Sequence, residues 1–309
     1  FAYVLQWLQI FLPSRVPSYM DVVCNVFGCA LASVIGGIPQ LRFIWGNRGG
    51  EHWRSMPLML CVCWIGSLLV PFIPSIETSS IKDSLKPLLL HPSVTPLDIC
   101  LYAVGWTAFA WNASEHLGRT MGLRPLLGFF GVVLAAKVFV VEAVVTVADV
   151  LGAGLAWSLW LVGRRRNIFP AVLLTGIMLF VTLRGLAPFD FVSSADANFH
   201  WLPLYGSLTG DLYINVHMLL LKLFLYGNVI WLLEHIQVRR RTAIAVCLIW
   251  IGLLEIAQLW FRGHTPESTD LLLVLLIVGW LALAQRHNQQ GVFANIYQGP
   301  ERRQQSRKE

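Results

Sequence analysis

Glu255, Gln258 and Arg262 stand at i, i+3 and i+7 in one apolar run. On an α-helix that spacing puts all three on one face. An ionisable side chain inside a membrane span costs about 2.5–3.5 kcal/mol on insertion scales. The stripe is therefore expected to face a bundle interior, with a partner for Glu255. Lys222, Arg184 and Arg262 itself are the candidate partners, and Asp270 opens the next apolar run. Arginines in such a setting grip phosphate or carboxylate through paired N–H donors. Arg184, Lys222, Glu255, Gln258, Arg262 and Asp270 thus form a candidate ligand-binding set. Its ligand would be a membrane lipid head group, a lipid-linked glycan or a glycopeptide. The same residue types also tie helices together through interhelical polar contacts, and the spacing fits both roles.

Other residues that could carry chemistry are fewer. His217 lies well inside an apolar run, without a second His at helical spacing, and reads as a packed histidine. His264 lies beside Glu267 in a connecting loop and reads as solvated. Asp21, Asp98, Asp211 and Asp270 each open an apolar run, where a carboxylate caps a helix. The chain has no Gly-Lys-Ser/Thr phosphate loop, no Gly-x-Ser-x-Gly elbow and no His-Glu-x-x-His pair. Cys61-Val-Cys63 lacks the two-residue spacer of a redox or zinc pair. No metal, no cofactor and no defined reaction is expected.

The elements that position these residues follow from composition. The chain has 309 residues, 56% hydrophobic and 13% charged, with a mean hydropathy of +0.63. Soluble proteins average roughly 25% charged residues. This is the composition of an all-α, polytopic membrane protein. The net charge of +6 does not point to nucleic acid, because the basic residues collect in alternate loops between apolar runs.

Runs long enough for a span of about 20 residues predict nine full transmembrane helices. They lie near 21–44, 56–76, 98–113, 125–141, 147–162, 169–187, 212–233, 243–261 and 269–285. The fourth and fifth are expected to form a tight hairpin. Phe1–Leu12 reads as part of a further helix, with native sequence upstream. One set of loops carries Arg42, Arg48 and Arg54, then Arg119 and Arg124, then Arg164–Arg166, then Arg239–Arg241, then the polar tail 287–309. The alternate set carries Glu77, Lys82, Asp83, Lys86 and Asp98, then Asp190, Asp196 and Asp211, then Arg262, Glu267 and Asp270, and is neutral or acidic apart from single basic residues. By the positive-inside rule the first set, tail included, is cytoplasmic.

The chain also repeats itself. Gln6, Gln9 and Asp21 stand at the spacing of Glu255, Gln258 and Asp270. Asp149-Val-Leu echoes Asp21-Val-Val, with Lys137 twelve residues before it in place of Gln. Val70-Pro-Phe-Ile-Pro74 matches Ala187-Pro-Phe-Asp-Phe191. A four-span unit is therefore expected three times in parallel orientation: a remnant at 1–45, a degenerate copy at 53–163 and a further copy at 164–286.

These residues resemble the VanZ-like family of bacterial membrane proteins. The resemblance rests on Arg184-Gly-Leu-Ala-Pro-Phe-Asp-Phe191, Glu255-x-x-Gln258, Arg262 and Asp270 in the last repeat. In the remnant it rests on Gln9-x-Phe-x-Pro13-x-Arg15 and Asp21-x-x-x-Asn25-x-x-Gly28. The last repeat has Val274 where the family has Asn, and the remnant has Gln6 where it has Glu. The resemblance implies a cell-envelope protein of the bacterial cytoplasmic membrane, in a family tied to glycopeptide resistance. Gln6, Gln9, Arg15, Asp21 and Asn25 would be a second candidate set. The other expectation is a non-catalytic accessory or assembly subunit, docked on other membrane subunits.

Overall fold

The computed structural model describes residues 55–281 apart from 76, 91, 93, 119, 192–211 and 263–265. The expected remnant, the first full span, the second candidate set, His264, Asp211 and the polar tail lie outside the described residues. What is described is all-α. The helices are α1 (Ser55–Leu69), α2 (Thr78–Leu89), α3 (Pro96–Leu117), α4 (Leu123–Val138) and α5 (Val147–Gly163). They continue with α6 (Phe169–Leu186), α7 (Leu212–His235), α8 (Arg240–Ala257) and α9 (Thr269–Leu281). A 3-10 turn, Gln258–Trp260, extends α8.

Among the described residues three helices are long and apolar enough to cross a membrane: Phe169–Leu186, Tyr213–His235 and Arg240–Trp260. Their limits lie within a few residues of the runs read from the sequence. Met56–Leu69, Val147–Gly163 and Thr269–Leu281 are apolar but shorter. Large aliphatic side chains such as Val62, Val132, Val162, Leu179, Ile249 and Leu253 stand exposed on the outside of the bundle. A membrane protein keeps such residues outward, because lipid tails are as apolar as they are.

The core is built on α1, α3 and α7, with α5 laid on α3, and with α6 and α8 beside α7. Trp64 of α1 is fully buried, edge-on to Trp106 at 5.9 Å and tilted by 31° against Phe224 at 5.1 Å. Gly105 makes room for it, since a Cβ there would lie 2.1 Å from the indole. At the centre Asn112 Nδ2 of α3 donates to Asn228 Oδ1 of α7 at 2.9 Å. Such interhelical bonds contribute about 0.6 kcal/mol on average in membranes, yet an unpaired amide there would cost more.

Three local expectations are corrected. The stretch after Glu77 is not a plain loop but α2, whose Ile81, Leu85 and Leu88 turn partly inward while Lys82, Asp83 and Lys86 stay exposed. That is the apolar spacing of a short amphipathic helix. Next, α5 does not pair chiefly with α4. It crosses to α3, where Gly152 approaches so closely that a Cβ would meet Tyr102 Cβ at 2.4 Å and the Ile99 carbonyl at 2.9 Å. Finally, Asp98 is not itself an N-cap. Thr95 caps α3 and Thr146 caps α5, each accepting from the backbone N–H of the aspartate three residues on, Asp98 and Asp149. Asp149 returns the bond to the Thr146 backbone, completing a capping box.

Two turns at one end of the bundle share a local geometry. Val70–Pro71 and Ala187–Pro188 are both cis, and Phe72 and Phe189 both take a left-handed φ, of 62° and 67°. The Phe N–H closes each turn on the last helical carbonyl, Leu69 at 2.8 Å and Leu186 at 2.9 Å. Beyond the turns, Val141 N donates to Ile73 O and Arg262 N donates to Asp190 O, each at 2.9 Å.

Candidate functional site

At this Pro71/Pro188 end a cavity of about 310 Å³ opens between α6, α7, α8 and the start of α9. Its apolar lining is Phe180, Val181, Leu221, Leu225 and Leu254. Its polar lining is Arg184, Lys222, Tyr226, Glu255, Gln258, Glu267 and Asp270. Each side chain is placed by its own helix. Lys222 and Tyr226 stand at i and i+4 on α7, so both reach the same neighbour. That neighbour is Asp270 at the head of α9: Lys222 Nζ donates to Oδ1 and Tyr226 OH to Oδ2, both at 2.5 Å.

Glu255 is 5% exposed, near the end of α8. The partner expected for it was a cation. Its carboxylate instead accepts the Glu267 backbone N–H at 3.0 Å, from the loop that leads into α9. Lys222 is committed to Asp270, which itself stands within hydrogen-bonding reach of Glu255. Gln258 Nε2 donates to the Gly185 carbonyl at 2.9 Å, which fixes the 3-10 turn against the end of α6. Arg184 Nη1 reaches Asp98 Oδ1 at 3.4 Å, a contact from outside the 164–286 segment.

Five of the six residues in the first candidate set therefore line one cavity. Arg262 does not. The helix that would carry it on the Glu255 face ends at Ala257, and by Phe261 the chain is extended, at φ −119° and ψ 130°. Arg262 is exposed and contributes its backbone N–H to Asp190. Sequence reasoning missed Tyr226, Glu267 and Asp98. Tyr226 was findable from its i+4 relation to Lys222. The pairing of Asp98 with Arg184 joins residues 86 positions apart and leaves no mark in the local spacing.

A second polar cluster lies at the same end in the 53–163 segment. Lys137 Nζ donates to Asp149 Oδ1 at 2.7 Å, and the two side chains are 5% and 2% exposed. Thr146 donates to Asp149 Oδ2 through its backbone at 2.9 Å and through its hydroxyl at 2.8 Å. The Lys137 ammonium stands 5.4 Å from the centre of the Tyr102 ring. A cavity of about 240 Å³ adjoins the pair, lined also by Ser67, Glu142 and His217. His217 Nδ1 lies 2.6 Å from the Ser67 carbonyl. A carbonyl only accepts, so Nδ1 carries the proton. His217 is thus a bonded, packed residue.

No family model, curated protein or solved structure matches this chain.

Among the described residues no group of three or more His, Cys, Asp or Glu side chains is arranged to hold a metal ion. The carboxylates of the first cavity do not make a cation cage of that kind. The chemistry this cavity offers is hydrogen bonding and charge pairing beside apolar side chains.

Proposed function

We propose that the protein binds the polar head group of a membrane amphiphile in the cavity around Glu255, with its hydrocarbon part against the apolar side chains of the lining. The observation that carries this reading is the cavity's two-part lining. Phe180, Leu221 and Leu225 supply apolar wall, and Arg184, Lys222, Glu255 and Asp270 supply polar groups. Pockets for small ligands combine an apolar wall with a few placed polar groups in this way. No reaction is assigned.

The membrane setting supports the reading. The cavity lies at the C-terminal ends of α6 and α8, whereas Arg164–Arg166 precede α6 and Arg239–Arg241 stand at the N-terminus of α8. Under the positive-inside rule the cavity then faces outward from the cytoplasm, and the tail is cytoplasmic. We propose nine spans in a bacterial cytoplasmic membrane, arranged in parallel four-helix repeats with a VanZ-like ancestry. The paired turns at Pro71 and Pro188, with their matching hydrogen bonds, support the repeat. A lipid-linked glycan or a glycopeptide would meet the same groups from the envelope side.

The test is photolabelling of the full-length protein in native membranes with a diacyl lipid bearing a diazirine near its head group. Labelled peptides should come from the Leu221–Tyr226 and Leu254–Gln258 stretches. Leu225→Trp, which fills part of the cavity, should remove that label without changing expression or elution. Labelling confined to the outer aliphatic surface, and unchanged by Leu225→Trp, would overturn the reading.

A further inference from the structure

We infer that the cavity beside Lys137 is a second binding site, for a neutral hydroxyl-rich group such as a single sugar or a glycerol unit. The inference stands apart from the Glu255 cavity and does not rest on its reading. Its ground is the set of hydrogen-bonding groups brought to this cavity of about 240 Å³. Lys137 is buried, and among the described residues its ammonium makes one hydrogen bond, to Asp149 Oδ1 at 2.7 Å. The Tyr102 ring, 5.4 Å away, faces the same charge. An ammonium has three N–H donors, so a donor is left for an occupant of the cavity. His217 Nδ1 donates to the Ser67 carbonyl at 2.6 Å. In the neutral ring Nε2 then carries the lone pair and accepts. The third group is the exposed carboxylate of Glu142. Its backbone is held at φ 63°, a left-handed value that glycine adopts freely and glutamate does not. The turn is pinned on both sides: Val141 N donates to Ile73 O and Val145 N to Ser84 O, each at 2.9 Å. A glutamate kept at such a position is accounted for by what its carboxylate does.

These groups choose among ligand classes. A cation drawn to Glu142 would meet the Lys137 ammonium in the same cavity. An anion drawn to Lys137 would meet the Glu142 carboxylate, and Lys137 is already matched by Asp149. What the lining asks for is an acceptor for Lys137 and donors for His217 and Glu142. A hydroxyl donates once and accepts twice. Two or three hydroxyls on adjacent carbons therefore serve all three residues and bring no charge. Leu68, Val70 and Ile214 complete the lining with apolar surface. The C–H face of a sugar, or the first carbons of a glycolipid, can lie against it.

The experiment uses full-length protein in an amine-oxide detergent, which brings no sugar of its own. The probe is a monoglucosyl diacylglycerol with a diazirine on the sugar, and cross-linked peptides are read by mass spectrometry. Cross-links are expected within 67–71, 142–144 and 213–217. The unlabelled glucosyl lipid should displace the probe from these peptides. A phosphatidate or an ethanolamine phospholipid with the same chains, at equal concentration, should not. Displacement by methyl glucoside as well would assign the site to a free sugar; displacement by the glucosyl lipid alone would assign it to a glycolipid head group. Glu142→Gly relieves the left-handed backbone, so it should keep or raise the thermal midpoint. It should still weaken probe capture about tenfold, as for the loss of a hydrogen bond to a charged group. A merely structural Glu142 would not separate these two readouts. Should Glu142→Gly lose stability, Glu142→Ala at the same exposed position reads the same loss of capture. Lys137 is left intact, because its removal strands Asp149. Wild-type protein without cross-links in these three stretches would overturn the inference and leave the cavity to water. Equal displacement by phosphatidate would also overturn it, as would a Glu142→Gly protein labelled as strongly as wild type. Cross-links confined to 221–226 and 254–258 would put the sugar in the first cavity alone, which sinks this inference and spares the earlier reading.

Discussion

The two polar clusters at the Pro71/Pro188 end solve one problem in different ways. In each, an aspartate at the head of a helix is buried and needs a cation. In the 53–163 segment the cation is Lys137, twelve residues earlier and across a short connection, and the pair is sealed at 5% and 2% exposure. In the last segment Gln258 holds the position twelve before Asp270. The cation there is Lys222 on α7, whose side chain stays 29% exposed. A glutamine makes hydrogen bonds but cancels no charge. The cation therefore comes from α7, which does not precede α9 directly in the chain, and the cavity lies between these helices. The residue three positions after each aspartate differs in the same sense. Gly152 lets α5 close on α3, whereas the last segment has the buried Leu273. The lesson is that the pair made by two consecutive helices, α4 and α5, is sealed, while the pair made by helices remote in sequence, α7 and α9, stays partly open.

The contrast is broken most directly at its cations. Removing one partner of a sealed pair strands the other charge, which costs about 3–5 kcal/mol. Lys137→Met is thus expected to lower the thermal midpoint of the detergent-solubilised protein severely. Lys222→Met should cost about 1–3 kcal/mol, because Asp270 keeps its bond from Tyr226 and lies next to the cavity. Equal losses in thermal unfolding would erase the distinction between sealed and open pairs.

A smaller effect sharpens the packing side of the contrast. Gly152→Leu copies the residue of the last segment. Its side chain would collide with Tyr102 and the Ile99 carbonyl, so overpacking of about 1–3 kcal/mol is expected. A variant as stable as wild type would show that α5 does not depend on close approach to α3. The smallest effects belong to the caps. Thr95→Ala and Thr146→Ala should each cost about 1 kcal/mol. The second should cost more, because the Thr146 hydroxyl also donates to buried Asp149. The reverse order in a paired denaturation series would mean that the Asp149 network adds nothing to its cap.

Much of the site was legible because it is carried by local spacing. Glu255 and Gln258 share a helix face by arithmetic, and both line the cavity. Asp270 is near them because α8 and α9 are joined by a short connection, so their facing ends are neighbours by covalent necessity. Arg262 shows the limit of that arithmetic. Its i+7 position assumes that the helix continues, and the helix stops at Ala257. α2 was obscured for a related reason. Its charges read as loop, while its three inward aliphatics follow a helical spacing too brief to stand out.

What composition and periodicity determined alone is the all-α membrane class and the limits of the longest apolar helices. Both depend on burial of one residue type along a continuous stretch, and a linear chain displays that openly. Tertiary structure alone decided which charge meets which. Lys222 was a candidate partner for Glu255 and went to Asp270. Arg184 was another and went to Asp98, 86 residues away. Such choices depend on distances of a few ångströms between separate helices. Those distances are set by side-chain volumes at the crossings, such as Gly152 against Tyr102, and the spacing of residues along the chain does not encode them.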